Sequence, residues 1–180
     1  MTSVRDRREI RGLEEYRGRV IRAADWDASA VSSADHVAII GTSANALRII
    51  PELVRTAASV KVFQPTPTWV LPRTEVAPPA VARAAFALVP AKRRRAVVRR
   101  VALQHLKRQV RDPWLRRQLT PARCARSTPP LISSDFYPAL QQPNCKLITW
   151  PIATLSRDGI RTSDGVEHKV DCIVLADGTG

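Results

Sequence analysis

HVAII (36–40), GTSANA (41–46) and LRIIPELVRTAASVKVFQ (47–64) together decide the fold of this 180-residue chain. HVAII is short, apolar and β-branched, and Gly41 ends it, which is the signature of a buried strand. Over 44–58, Leu47, Ile50, Leu53 and Val54 fall at helical spacing. Pro51 lies inside that stretch, so a kink or an early turn is expected there. SVKVFQ (59–64) reads as a second strand. Strand, tight turn, helix and strand form a crossover unit whose two strands pair in parallel.

The turn between the first strand and the helix matches a phosphate-binding template, GxGxxG/A, imperfectly. In that template the first glycine makes the turn, the second lets the backbone approach a pyrophosphate, and the third small residue lets helix and strand pack. N–H groups at the helix start then hold the anion. Gly41 and Ala46 fit, whereas Ser43 puts a Cβ at the second glycine position. Gly41, Thr42, Ser43, Ala44, Asn45 and Ala46 are therefore candidate cofactor-binding residues, and a plain structural turn is an equal alternative.

Outward from this unit, PTPTWVLPR (65–73) reads as a proline-rich loop and 78–119 as helical, divided by Asp112-Pro113. Residues 120–130 read as loop, LIS (131–133) as a strand, and DFYPALQQ (135–142) as a short helix capped by Ser134 or Asp135. CKLIT (145–149), ATLS (153–156), GIRTS (159–163), EHKV (167–170) and DCIVLA (171–176) read as strands. Arg157-Asp158-Gly159 and Ser163-Asp164-Gly165 supply hairpin turns. Residues 1–35 read as mostly loop. The fold class is α/β, a Rossmann-type parallel sheet with a long basic helical insertion and a β-meander.

Composition narrows the function. Apolar content of 44% is ordinary, but the net charge of +13 is not. Residues 92–117 carry eleven Lys or Arg and one acid, so most of the excess sits there. A basic helix can be a solvated surface or can bind nucleic acid or an anionic membrane. Trp114 is the only aromatic in it, which argues against base stacking. Cys124, Cys145 and Cys172 lie far apart with no zinc-ligand spacing, so no metal site and reduced thiols are expected. The charged N-terminus has no apolar h-region and no span of about 18 apolar residues exists, so a cytoplasmic location is expected. His105 and His168 have no partner at ligand spacing and read as surface or hydrogen-bonded histidines, and Trp26, Trp69, Trp114 and Trp150 as packing residues.

HVAIIGTSANALRIIPELVRTAASVKVFQPTPTWVLPR (36–73) resembles the NADP-binding motif of flavin-dependent monooxygenases of the Baeyer–Villiger, or class B, type. GLEEYRGRVIRAADWD (12–27), QVRDPWLRRQLTP (109–121) and 135–180 resemble flanking parts of the same family in order. The resemblance implies NADP and FAD as cofactors, with oxygen inserted beside a carbonyl or onto a heteroatom of a small molecule. It implies a division into a fingerprint-bearing linker (1–35), the first βαβ of the NADP domain (36–77) and a helical insertion (78–119). The rest of that domain with the β-meander would follow (120–170), and then a strand returning to the FAD domain (171–180). The family's first flavin motif has no counterpart here, so the chain reads as an incomplete two-dinucleotide-binding flavoprotein, inactive alone or complemented by a second chain.

Several family positions are altered. The family fingerprint FxGxxxHxxxW is met by Tyr16, Gly18 and Trp26, followed by Asp27, but Arg22 replaces the histidine. Arginine stays charged and has no neutral tautomer to offer, and an ordinary surface role is its alternative. The family's VFQRTP becomes Phe63-Gln64-Pro65-Thr66, with Gln64 and Thr66 as further cofactor candidates and Pro65 where an arginine meets the 2′-phosphate. Losing such a charged hydrogen bond costs roughly 1.5–3 kcal/mol, so the NADP site is expected to be weakened unless Arg55, Lys61 or Arg73 compensates. The family's catalytic arginine aligns in two ways, with Arg126 or with Pro129, and both stay open.

Overall fold

The computed structural model describes residues 10–74, 88–122 and 129–176. Its centre is a parallel sheet of five strands, β1 (Arg19–Arg22), β2 (His36–Ile40), β3 (Ser59–Phe63), β6 (Cys145–Ile148) and β10 (Cys172–Leu175), in the order β1-β10-β2-β3-β6. The helix α1 (Ala44–Thr56) connects β2 to β3. The expected strand-helix-strand unit is therefore present, with His36 paired to Ser59 and Ile40 to Phe63.

Both faces of the sheet centre are covered, which explains why the central strands β2 and β10 are continuous apolar runs. Side chains alternate from face to face along a strand. Val37, Ile39, Val60, Val62, Cys172 and Val174 face a helical layer and join one core with Leu47, Ile50 and Leu53 of α1. Ala38, Ile40, Phe63, Ile148 and Ile173 face the opposite way and join a second core with Leu155 and Ile160. That second layer is an antiparallel meander of β7 (Ile152–Ser156), β8 (Gly159–Thr162) and β9 (Glu167–Lys169). Its second turn uses Gly165 at φ +84°.

α1 is anchored at both ends. Ser43 caps its start, and the Asn144 side chain donates to the carbonyls of Val54 and Ala57 at its end. Pro51 sits in mid-helix and the helix continues through it to Thr56, so the early-turn alternative is excluded. α1 survives because Leu47, Ile49, Ile50 and Leu53 are all within 2% of full burial, and tertiary packing outweighs the lost helical hydrogen bond.

The basic segment forms α2 (Ala91–Gln109), with Asp112 capping a following short helix α3 (Pro113–Gln118). Only Ala102, His105 and Leu106 of α2 are buried, near its C-terminal end. A two-strand ribbon of β4 (Val70–Leu71) and β5 (Leu131–Ile132) lies between α2 and α1, and the short helix α4 (Phe136–Leu140) packs on α1.

The structure corrects several expectations. Within residues 10–35, which are otherwise mostly irregular as expected, Arg19–Arg22 form the edge strand β1, whose exposed, charged sequence carried no periodic signal. Val70–Leu71 form a strand inside the proline-rich segment. Asp135 holds the N-cap position of α4 without a side-chain cap bond, and the Phe136 N–H donates instead to the Ser133 hydroxyl. Trp114 and Trp150 are exposed, at 63% and 56%, so they are not packing residues.

Candidate functional site

In an open parallel sheet, ligands bind outside the carboxyl ends of the strands, at the point where the strand order reverses. Here the chain passes from β2 outward through β3 to β6, then returns to place β10 on the other side of β2. The reversal lies between the carboxyl ends of β2 and β10, where the Ala176 N–H donates to the Ile40 carbonyl. The turn carrying Gly41 to Ala46 starts at that point.

Gly41 adopts φ +96°, and its N–H donates to the Phe63 carbonyl at 3.1 Å. A residue with a side chain would be strained in this conformation, which explains the glycine. Thr42 and Ser43 are half-buried, Ala44 and Asn45 are exposed in the first turn of α1, and Ala46 is fully buried against the sheet. Ser43 has extended backbone, and its hydroxyl accepts a 3.2 Å hydrogen bond from the Ala46 N–H. One of the helix-start donors is thus satisfied internally. Among the described residues the N–H groups of Ala44 and Asn45 meet no protein acceptor, which leaves them available to an anion.

Gln64 follows β3 directly, level with Gly41 across the β2–β3 pair. Its N–H donates to the Ile148 carbonyl at 2.9 Å. Val60 and Val62 face the helices and Phe63 faces the meander, so alternation directs Gln64 toward the helical side. Its side chain is 2% exposed, yet its Oε1 has no hydrogen-bond partner. Pro65 and Thr66 follow at the surface.

The three cations offered as substitutes for an arginine at position 65 separate. Lys61 lies on the meander side, where its Nζ donates to the Lys169 carbonyl at 2.6 Å and burial pulls its pKa down. It is turned away from the crevice. Arg55 and Arg73 line a cleft of about 750 Å³ that runs from Ala44 and Asn45 along α1 toward α4. Arg48 also lines it, and the sequence reading passed it over. Its spacing of seven from Arg55, which puts both on one outward helix face, is the signal that could have found it. Asp135 is the acidic residue among these linings.

The candidate catalytic residue Arg126 lies outside the described residues. Pro129, the competing position, is exposed just before β5. The fingerprint positions serve the fold. The Tyr16 hydroxyl donates to the Val170 carbonyl at 2.9 Å, and burial raises its pKa to about 12. A Cβ at Gly18 would stand about 2.1 Å from the Tyr16 hydroxyl, so only glycine fits. The Trp26 indole donates to Glu52 on α1 at 3.0 Å. Arg22 ends β1 with its side chain exposed.

His105 is buried, and its Nε2 meets the Ser133 carbonyl at 3.2 Å. Burial lowers its pKa, which favours the neutral ring. His168 pairs with the Thr162 hydroxyl at 3.2 Å. Cys145 and Cys172 are free thiols, and burial raises the pKa of both, that of Cys145 to about 12. Among the described residues no group of three metal-ligating side chains occurs, and no helix is long and apolar enough to cross a membrane.

No family model matches the chain. It is 31% identical over 94% of its length to a Baeyer–Villiger monooxygenase of Pseudomonas aeruginosa, of which it covers 36%. It is likewise 31% identical over 96% of its length to one of Streptomyces coelicolor, covering 37%. The chain thus spans about a third of the length of the curated relatives it matches. Among solved structures it is similar in fold to cyclohexanone monooxygenase bound to ε-caprolactone, with TM-score 0.74, 19% identity and coverage of 96% of this chain and 45% of the other. An oxidised steroid monooxygenase bound to NADP gives TM-score 0.72 at 21% identity, covering 93% and 43%.

Proposed function

The chain is a relative of the Baeyer–Villiger-type flavin-dependent monooxygenases, and on that premise we propose that it is the nicotinamide-dinucleotide-binding part of such an enzyme, without oxygenation activity of its own. The carrying observation is the crevice between β2 and β10, where Gly41 at positive φ delivers the start of α1 with two unpartnered N–H groups. Those features fit a pyrophosphate, while the Ser43 hydroxyl removes a third donor, so the fit is to a weakened site. When bound, the dinucleotide supplies hydride and a flavin supplies oxygen activation.

The chain's own residues have positioning roles in this reading. The N–H groups of Ala44 and Asn45 hold the pyrophosphate. Gly41 and Thr42 leave it room, and Ala46 keeps α1 close to the sheet. Gln64 and Thr66 flank the adenosine ribose. Residues 36–77 and 120–170 form the dinucleotide domain, 78–119 an insertion, and 171–180 the return toward a flavin domain. In this reading FAD and a ketone or heteroatom substrate are the other ligands of the enzyme. α2 acts as a solvated structural element, because its C-terminal half is packed through Ala102, His105 and Leu106.

The test is direct. The purified chain is titrated with NADP⁺ and NAD⁺ by calorimetry, its flavin content is read by absorbance, and NADPH oxidation is followed with a cyclic ketone. Binding of at least one nucleotide, without stoichiometric flavin or ketone-dependent turnover, is expected. Absence of binding at millimolar nucleotide overturns the dinucleotide reading. Stoichiometric flavin with turnover overturns the inactivity.

A further inference from the structure

In a Rossmann crevice the adenosine ribose lies over the end of the strand that follows the phosphate-binding helix, and the residue there reads its 2′ position. An acid accepts from a free 2′-hydroxyl, and a nearby arginine meets a 2′-phosphate. In this chain that strand is β3, and its end reads Phe63-Gln64-Pro65-Thr66. No cation stands in that run, and the nearest lysine in sequence, Lys61, is committed to the Lys169 carbonyl on the other face.

The buried Gln64 Oε1 adds a second observation. It is an acceptor with no donor, in a side chain only 2% exposed. An unpaired buried acceptor is unusual, and at the end of β3 Gln64 presents a neutral amide, with an acceptor and two donors, and no charge. A ribose 2′-hydroxyl can donate a hydrogen bond. A doubly ionised 2′-phosphate brings negative charge to the 63–66 run, which offers no cation.

We infer that this crevice takes a dinucleotide with a free adenosine 2′-hydroxyl, NAD(H), at least as well as NADP(H), with Gln64 and Pro65 as the residues that set this selectivity. The inference rests on the dinucleotide reading of the same crevice and specifies its ligand. Arg48, Arg55 and Arg73 line the cleft beside α1 and do not interrupt the 63–66 run.

Calorimetric titration of the intact chain with NAD⁺ and with NADP⁺ tests it. A Kd for NAD⁺ equal to or below that for NADP⁺ is expected. NADP⁺ binding tenfold or more tighter than NAD⁺ overturns the selectivity while leaving the dinucleotide reading intact, and binding of neither overturns both. Pro65→Arg lies at an exposed loop position, so folding is not at issue. It is expected to shift the NADP⁺/NAD⁺ ratio toward NADP⁺ by about ten- to a hundredfold, the value of one charged hydrogen bond to phosphate. An unchanged ratio in that variant overturns the placement of the ribose at residues 64 and 65.

Discussion

The Ser43 hydroxyl accepts a hydrogen bond from the Ala46 N–H at 3.2 Å, so the side chain that replaces a template glycine also occupies a donor that a phosphate would use. The same contact stabilises α1 and competes with a ligand. Ser43→Gly is therefore expected to cost only a few tenths of a kcal/mol in stability, since glycine is a tolerable cap, and to tighten dinucleotide binding several-fold. Ser43→Ala is expected to lose about 1 kcal/mol. Urea melts and nucleotide titrations of the two variants separate the effects, and weaker binding by Ser43→Gly would contradict the competition.

Asn144 holds the other end of α1 through the Val54 and Ala57 carbonyls. Asn144→Ala removes both bonds and should destabilise the fold by about 1–3 kcal/mol, because partly buried carbonyls lose their donor. The change in urea midpoint at constant slope measures it.

Leu53 is fully buried between α1 and the sheet. Leu53→Ala is expected to cost about 2–5 kcal/mol through lost burial and the cavity left behind. Thermal unfolding against the parent chain provides the measure, and a loss below 1 kcal/mol would contradict the packing described.

Acid should destabilise the protein through His105 and His168, whose pKa values are both lowered, chiefly by burial. The unfolded chain then binds more protons than the folded one. This stability contribution is full above the unfolded value of about 6.5 and is lost as pH falls through the lower folded values. Urea midpoints at pH 7.5 and pH 5 report the slope. His105→Gln retains a donor for the Ser133 carbonyl without titrating, and it should flatten that slope.

The thiols of Cys145 and Cys172 should resist alkylation at pH 8 in the folded protein, because burial raises both pKa values and limits access. Peptide mass spectrometry after a short iodoacetamide pulse, with and without urea, distinguishes protected from exposed sites. Rapid native labelling at Cys172 would contradict its place in the sheet.

The central βαβ unit was legible because Val37 to Ile40 is apolar on both faces, Val60, Val62 and Phe63 form a second β-branched and aromatic run, and Gly41 punctuates them. The meander was legible from its two Asp-Gly turns. β1 was not, because Arg19 and Arg22 hide an edge strand whose partner is remote in sequence. The candidate turn was readable residue by residue. Its two decisive details, the Ser43–Ala46 hydrogen bond and the orphaned Gln64 oxygen, depend on side-chain rotamers and on packing between distant segments. No spacing rule reports those.

The position of β10 sets a condition on assembly. Cys172 pairs with both Arg19 and Val37, so β10, more than 130 residues after β2, separates β1 from β2. During synthesis, β2, α1 and β3 can pair as they emerge, but the strand that joins β1 to β2 is missing until residues 172–175 have left the ribosome. Until then the interior edge of β2 stays open, with the His36 and Ile40 carbonyls, which accept from Asp171 and Ala176 in the folded sheet, unpaired. Such late, long-range closure slows folding and prolongs exposure of an aggregation-prone edge, so the yield of soluble chain should depend on elongation rate and on chaperones that shield that edge.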